Sequence, residues 1–553
     1  MRHLSCIPIF SFLYLIYRLV QTAGACVNLR NLFYVIALSN ITLGVCAEVN
    51  LRKAAVDRQR NIIFNNDGDD AWVADAPATP EGFLNVRMNH IGSGGVNAVF
   101  YCTTQSFNSF THNSQLTEVF TGQGNFTPNN RMNSLLAAGT DPLKLAVESC
   151  RKQGLEIFWT LRMNDIHDCF SPELLSQWKR DNPNHLVGEA ADAKRFPPED
   201  PRSVWTFVDF SHPQVRDRVV EIIKDVINRY DVDGIDLDFM RHTCYFKETA
   251  WLQPVTTEHL AMMTEMVRKI SQVVKTASRE KGKPLLLSAR IFPTMDLNRH
   301  FGFDLEQWLE SGYLDFIAVG GGYDPFTMPV HDMIKRGHQS GMPVYVCLSA
   351  SGMEQRGVAG SEISAKDPSV WRAAAANAWA SGADGIMTFN LFPQLADSSA
   401  TQAARLLWEQ MSDPKKMVGK DKLYCIENLE LQSAKGYMMR SVPYEERLPA
   451  VIARGASVIR VLPVADDIEA LNNQLKALKL RIYLAELKNG DQVEVQMNGK
   501  SLPMSPEKPG WLAADLSAAF MIKGPNKVSI TYREGDSPQL TVGSVELAIH
   551  YNP

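Results

Sequence analysis

Val232-Asp233-Gly234-Ile235-Asp236-Leu237-Asp238-Phe239-Met240-Arg241 alternates with period two, as a strand does. Ile235, Leu237 and Phe239 point one way; Gly234, Asp236 and Asp238 point the other. The stretch follows Pro213–Arg229, where Val215, Val219, Ile222, Ile223, Val226 and Ile227 recur at helical spacing. An apolar outer face with two carboxylates and a glycine inside suits a barrel strand covered by helices, its acids aimed at the mouth. Buried acids side by side are costly unless hydrogen-bonded, metal-bound or sharing a proton. The pair is therefore either a functional site or a brace of the barrel wall.

Working outward, short apolar strands are read at 96–102, 155–163, 204–210, 232–239, 284–292, 314–320, 343–350 and 383–389. Helical patterns such as Pro142–Gln153, 257–280 and Pro368–Ala380 separate most of them. Eight βα units over about 300 residues imply a parallel sheet closed into a (β/α)8 TIM barrel. A doubly wound open sheet is the alternative, but no Gly-rich phosphate loop follows any strand, and Gly320-Gly321-Gly322 stands alone. Beyond Gly419 strand patterns dominate, with Asn498-Gly499 as a hairpin turn, and a β-sandwich is expected. The expected organisation is an export region at 1–47, an N-terminal extension at 48–84, the barrel at 85–415 and an all-β sandwich domain at 420–553. That last domain is either a carbohydrate-binding module or a structural appendage.

The 553 residues carry a net charge of −5, with 45% hydrophobic and 21% charged residues. This is the composition of a soluble globular enzyme and speaks against nucleic acid as a partner. Residues 4–20 and 32–45 are both apolar. The second has the layout of a secretory signal, with Arg30 before it and Val45-Cys46-Ala47 after it. The natural start is placed near Val27, and the protein is expected to be exported to the periplasm or beyond. Neither run suits a stable membrane span, because Arg18 interrupts one and the other is short. Lipid attachment at Cys26 or Cys46 stays open. Of the nine cysteines, Cys6, Cys26 and Cys46 lie in the export region, and the other six are scattered without metal-ligand spacing.

Barrel chemistry sits at the C-terminal strand ends, and here those ends are polar. The 155–163 strand runs into Arg162-Met163-Asn164-Asp165-Ile166-His167-Asp168. Asp236 and Asp238 are followed by Arg241 and His242, and Ser288 and Arg290 share one face of the next strand. Gly320-Gly321-Gly322-Tyr323-Asp324, then Ser349, Ser351 and Glu354, then Thr388, Phe389 and Asn390 complete the set. Asp165 and Asp168 read equally well as helix caps.

Val232 to Arg241, with Arg162 to Asp168 upstream, resembles the family-10-like group of bacterial glycoside hydrolases with TIM barrels, over roughly residues 85–395. The resemblance implies glycoside hydrolysis. The DGxDxD core is also similar to that of family 18 chitinases, which place a catalytic glutamate two residues after the last Asp. Met240 stands there, so that mechanism does not carry over. Glycoside hydrolysis needs two carboxyl groups across the scissile bond. Asp238 is the expected nucleophile or base, with Asp236 either orienting it or carrying a raised pKa; Asp324 is the expected acid, with Glu354 and Asp168 in reserve. Arg162, Asn164, Asp165, His167, Asp168, Arg241, His242, Arg290, Tyr323 and Asn390 are the expected substrate contacts. Trp159, Tyr245 and Trp251 are further stacking candidates, although Trp159 on its apolar strand reads better as core. Arg162, Arg241 and Arg290 together make an anionic glycan a candidate. No cofactor or metal is required. The alternatives are a metal-dependent barrel hydrolase with Asp236 and Asp238 as ligands, and a barrel that binds glycan without cleaving it.

Overall fold

The computed structural model describes residues 48–552 apart from 74–75, 125–126, 198–199, 252, 322–325, 350–357, 365, 390, 394–397 and 427–447. Two compact units divide the chain after Ala55. In the first, residues 48–55 are helical; the second carries everything below.

Eight parallel strands close into a barrel. They are β1 Ile62–Asn66, β2 Ala98–Cys102, β3 Glu156–Arg162, β4 Gly234–Asp238, β5 Leu286–Ile291, β6 Phe316–Val319, β7 Val344–Ser349 and β8 Gly385–Phe389. Each pairs with its chain neighbour and β8 pairs with β1. The helices have legible punctuation. Pro142–Gln153 begins with the Asp141 side chain accepting from Lys144 N–H and stops at Gly154 in the left-handed region. Thr257–Lys281 starts in a Thr256/His259 capping box and stops at Gly282.

Two strand assignments need correction. The first barrel strand is Ile62–Asn66, within the segment read as an N-terminal extension. The expected strand at 204–210 does not join the barrel. Val208 makes one isolated antiparallel bridge to Leu186, and Val204 and Phe207 pack with Ile166, Val187, Cys244 and Ala250 over the loops that leave β3 and β4. The alternating apolar residues there bury against loops, which satisfies the same pattern as a sheet would.

Aromatic rings fill the lower barrel. Phe158 stacks on Phe100 at 4.6 Å between centroids and meets Phe316 at 5.4 Å. Gly234 is required by this filling, since a Cβ there would lie 2.1 Å from Phe158 Cε1. Below the rings, Arg60 is fully buried, with Nε 2.7 Å from Glu156 Oε2 and its guanidinium 4.9 Å from the Phe316 centroid. An ion pair and a cation–π contact compensate a charge placed where water cannot reach.

The C-terminal region is built from antiparallel strands: β9 Lys422–Ile426, β10 Ala450–Ala453, β11 Ser457–Val464, β12 Leu475–Ala485, β13 Gln492–Met497, β14 Lys500–Leu502, β15 Ser505–Lys508, β16 Trp511–Asp515, β17 Gly524–Glu534 and β18 Gln539–Tyr551. A six-stranded sheet runs β9-β18-β12-β16-β15 with β10 also on β18, and a four-stranded sheet runs β11-β17-β13-β14. Leu480, Ile482, Leu547 and Ile549 of the first share one core with Val495, Met497, Val528 and Ile530 of the second. Asn498 and Gly499 both take positive φ (51° and 80°) in the β13–β14 turn, the geometry expected of Asn-Gly.

The barrel floor yields the first test. Glu156→Gln leaves Arg60 charged and buried, and should lower stability by about 3 kcal/mol or more in denaturant unfolding. Arg58, which meets the same glutamate from a side chain 56% exposed, should cost under about 1 kcal/mol when changed to Ala. Equal losses for the two would mean that the buried pair is not what holds the floor.

Candidate functional site

Register stacks the inner barrel wall in rows. Thr160, Asp236 and Ser288 lie side by side on β3, β4 and β5, and Arg162, Asp238 and Arg290 lie side by side one pleat higher. The alternation of the 232–241 stretch thus delivers both aspartates to the interior. Ser288 Oγ donates to Asp236 Oδ1 at 2.9 Å and Thr160 Oγ1 to Oδ2 at 3.3 Å. Arg290 holds Asp238 bidentately: Nε donates to Oδ1 at 3.0 Å and Nη2 to Oδ2. Met240 N–H adds a bond to Oδ1 at 2.9 Å. Asp238 is only 2% exposed. A charge so far from water needs such a partner, and a planar guanidinium fits a carboxylate edge to edge.

The two aspartates are inequivalent as acids. Burial, and next the charge of Asp238, push the Asp236 carboxyl up to about 7. Burial works against the charge on Arg290, but Asp238 outweighs it and raises the guanidinium pKa. Over Arg290 lies Phe389 of β8, its ring centroid 4.3 Å from Cζ. Gly321 has φ +96°, and a Cβ on it would come within 2.5 Å of Cys347 Sγ and 3.2 Å of Arg290 Nη1. Glycine at the end of β6 therefore makes room for the arginine.

A second chain of charges runs along the mouth. Arg162 Nη2 lies 2.9 Å from Asp67 Oδ1, and Arg162 Nη1 donates to Asp165 Oδ2 at 3.1 Å. Asp165 Oδ1 meets His167 Nδ1 at 2.7 Å, and His167 Nε2 meets Arg241 Nη2 at 2.8 Å. Arginine can only donate, so Nε2 accepts and the imidazole proton sits on Nδ1, aimed at Asp165. Burial lowers the His167 pKa, Asp165 opposes that and Arg241 reinforces it; the net shift is downward, as a neutral ring requires. Burial disfavours charge on Asp165 and Asp67, yet His167 and Arg162 hold the first well below the usual carboxylate range. Arg162, Arg241 and Arg290 lower the second. Asp67 was not singled out from the sequence. Its signal was Asn65-Asn66-Asp67-Gly68, a polar turn after the apolar Ile62-Ile63-Phe64, at the end of a strand that went unassigned.

The structure thus brings Asp236, Asp238, Arg162, Asp165, His167, Arg241 and Arg290 together, and His242 joins them with its ring 5.2 Å from that of His167. Other expected contacts lie elsewhere. The Asn164 amide donates to Val208 O (2.9 Å) and Cys244 O (2.6 Å) and accepts from Val208 N–H (3.0 Å), tying loops together. Asp168 is buried against Lys179 Nζ and Ser106 Oγ, each at 2.6 Å. Trp159 and Tyr245 are fully buried core residues, bonded to Thr103 Oγ1 and Phe239 O, and Trp251 Nε1 donates to Val187 O at 3.4 Å. Tyr323, Asp324, Ser351, Glu354 and Asn390 lie outside the described residues.

Among the described residues, Asp165, His167 and His242 form a group whose potential metal-ligand atoms all lie within 4.8 Å of one another. The donor chemistry argues against a cation there. Both ring nitrogens of His167 are engaged, one by a guanidinium at 2.8 Å, and Arg162 takes the second oxygen of Asp165. Asp236 and Asp238, the ligands of the metal alternative, are likewise occupied by hydroxyl and guanidinium donors. What the arrangement offers is a fixed carboxylate at the mouth, a second carboxyl beneath it that keeps its proton to near neutrality, and arginines locked in orientation.

No curated protein sequence matches this chain. Among solved structures, similarity is found to a cycloisomaltooligosaccharide glucanotransferase of Paenibacillus sp., with 10% identity over 89% of this chain and 57% of that one, TM-score 0.34. An Anoxybacillus α-amylase matches with 12% identity over 86% of this chain and 99% of that one, TM-score 0.36. An α-L-fucosidase of Paenibacillus thiaminolyticus matches with 13% identity over 87% of this chain and 74% of that one, TM-score 0.40. This chain spans just over half the length of the glucanotransferase, and likenesses this distant say nothing of its substrate. Residues 124–371, which carry β3 to β7 and the mouth residues from Arg162 to Arg290, match the family model described as Glycosyl hydrolase-like 10.

Proposed function

We propose that the chain is an exported glycoside hydrolase that cleaves glycosidic bonds of a poly- or oligosaccharide at the C-terminal mouth of the barrel. The observation that carries this reading is the Arg290–Asp238 clamp, a carboxylate fixed at a barrel strand end above a protonatable Asp236. A nucleophile or base must be correctly aimed, and the bidentate guanidinium together with Met240 N–H fixes the carboxylate plane. Asp236 bonds Ser288 and Thr160, while Arg290 and Met240 N–H hold Asp238, so the orienting role expected of Asp236 passes to them. The acid is assigned to Asp324, three residues beyond Gly321 in sequence, with Glu354 as the reserve. Asp67, ionised and paired with Arg162, suits a hydroxyl contact better than proton donation.

Charge balance refines the substrate class. Arg162 is shared by Asp67 and Asp165, and Arg290 is matched by Asp238, so the arginine count does not by itself call for an anionic sugar. A neutral glycan fits this balance.

Asp238→Asn should reduce glycan turnover per folded molecule at least about 10²-fold and should also lower the melting temperature, because it leaves Arg290 charged and buried. A variant that melts early while its folded fraction keeps full rate would return Asp238 to a bracing role.

Asp324→Asn should slow natural glycans greatly and an aryl glycoside with a good leaving group much less, because only the former needs a proton on the departing oxygen. Equal losses would move Asp324 to binding, and the contrast at Glu354→Gln would transfer the acid there.

Asp236 generates a pH prediction. Its folded pKa of about 7 lies above the ordinary value near 4. Folding therefore binds a proton between those pH values, and the stability this contributes is lost as pH rises toward and through 7. Asp236→Asn has no such loss. Its stability relative to wild type should rise by on the order of 2 kcal/mol from pH 5 to pH 8 in parallel denaturant titrations. A pH-independent difference would mean that Asp236 is ionised throughout.

Export is tested separately. Residues 27–47 fused to a reporter should carry it out of the cytoplasm; retention inside would remove export from the proposal.

A further inference from the structure

The outer face of the six-stranded sheet is built differently from a solvated sheet surface. Leu480, Ile482, Leu547 and Ile549 face the sandwich core, so Arg481 of β12 and Glu546 of β18, paired in register, face away from it. On a two-layer sandwich such positions are normally wet. Here Arg481 is 1% exposed and Glu546 0%. Trp511 and Glu507 of the same domain cover part of Arg481, and the segment 358–362, which belongs to the connection between β7 and helix Pro368–Ala380, covers the pair from outside the domain.

The grip is specific. Arg481 Nη1 lies 2.7 Å from Glu546 Oε2 and 3.0 Å from Glu362 Oε1, and its Nη2 donates to Gly360 O at 3.0 Å. Glu546 accepts from Ser361 Oγ at 2.5 Å and from Glu362 N–H at 3.2 Å. Trp511, stacked 4.3 Å from the Arg481 Cζ, donates its indole N–H to Ala359 O at 2.8 Å. Two glycines permit the approach. Gly360 has φ +80° and passes Lys508, where a Cβ would come within 2.8 Å of Cε; a Cβ on Gly543 would come within 3.3 Å of Val358 Cγ1. Three backbone groups within residues 359–362 of one barrel connection are therefore bonded by a buried charge pair and an indole of the other domain.

A buried ion pair is expensive to desolvate, and a sandwich that merely needed a cover would do better with apolar residues there. The pair is suited to fixing backbone carbonyls and amides in position. β7, whose far end enters this connection, carries Cys347, with Sγ 3.9 Å from Arg290 Nη1, the guanidinium that clamps Asp238. We infer that Arg481, Glu546 and Trp511 are positioning residues for the barrel mouth: the C-terminal sandwich holds the β7 connection so that the active site is complete only when the sandwich is docked. This rests on the glycosidase reading for its kinetic arm, and the domain becomes part of the enzyme's working framework where the sequence suggested a separable glycan-binding module or an appendage.

The experiment uses the full-length chain with two variants, Trp511→Phe, which removes one donor and keeps the ring, and Arg481→Met/Glu546→Gln, which removes both charges and avoids a lone buried ion. Arg533→Met, at an exposed pair with Glu494 on the other sheet, is the control. Amide exchange should accelerate at 358–363 in both variants and extend to Cys347–Ser349 at the mouth, with the sandwich core still protected. On a glycan substrate kcat should fall about tenfold or more, since small misplacements at a mouth are costly, while Arg533→Met leaves it unchanged. Exchange that accelerates only at 358–363, with kcat unaltered, overturns the inference and leaves a plain domain contact. Global loss of protection together with the core would also overturn it, as a stability effect. If wild type cleaves no glycan, the glycosidase reading fails by itself, and spread of exchange to Cys347–Ser349 still decides whether the sandwich holds the mouth.

Discussion

Arg290 reaches both oxygens of Asp238 across one strand spacing, and the mouth is arranged around that contact. The register of β4 and β5 sets the two side by side, so neither has to leave its preferred direction to meet the other. Space for the guanidinium comes from Gly321, and its upper face is closed by the Phe389 ring. Removing Asp238 would leave a buried cation; removing Arg290 would leave a buried anion. Each is costly alone, which is why the pair specifies its surroundings even if its net contribution to stability is small.

The barrel interior is graded along its axis as a consequence. Rings fill the floor above Arg60 and Glu156, hydroxyls on Thr160 and Ser288 face Asp236 in the next row, and fully ionic partners occupy the row at the mouth. Asp236 is fully buried with the charge of Asp238 one pleat away, and these two outweigh Arg290 and the hydroxyl donors, so its proton is retained to about pH 7. A one-residue slip of β4 would send both acids to the helix-covered face and three apolar residues inward, so the register is fixed by chemistry on both faces.

Much of this could be read in the sequence, and for a definite reason. Alternation in the 232–241 stretch is local, and a local pattern states which side chains share a face whatever surrounds them. What that pattern leaves open is what each polar group meets. Asn164 and Asp168 carry the right chemistry at the right strand end, yet their partners, Val208 and Cys244 for one and Lys179 and Ser106 for the other, lie between 11 and 80 residues away along the chain, outside the barrel strands. The same limit explains the misassigned strands. Ile62-Ile63-Phe64 is a three-residue apolar run set between polar Arg60-Asn61 and Asn65-Asn66, with no alternation to mark a strand, while 204–210 has a strand's alternation and spends it on a small cluster over the loops. Asp67 was lost with the first of these, because a residue is recognised as lying at a strand end only once the strand has been found.

Asp67 also bears on how the site is assembled. It lies outside the 124–371 stretch that matches the family model, and so do β1, β2 and β8, without which the barrel does not close. The charge chain Asp67–Arg162–Asp165–His167–Arg241 therefore starts on a strand near the beginning of the compact unit and ends after β4. Alternating donors and acceptors along such a chain fix one another: Arg241 dictates the tautomer of His167, which dictates the oxygen of Asp165 left for Arg162, which leaves its remaining amino group for Asp67. The order cannot be permuted without setting donor against donor. This side of the mouth is accordingly one hydrogen-bonded arrangement drawn from the ends of β1, β3 and β4, and its precision depends on barrel closure rather than on any one loop.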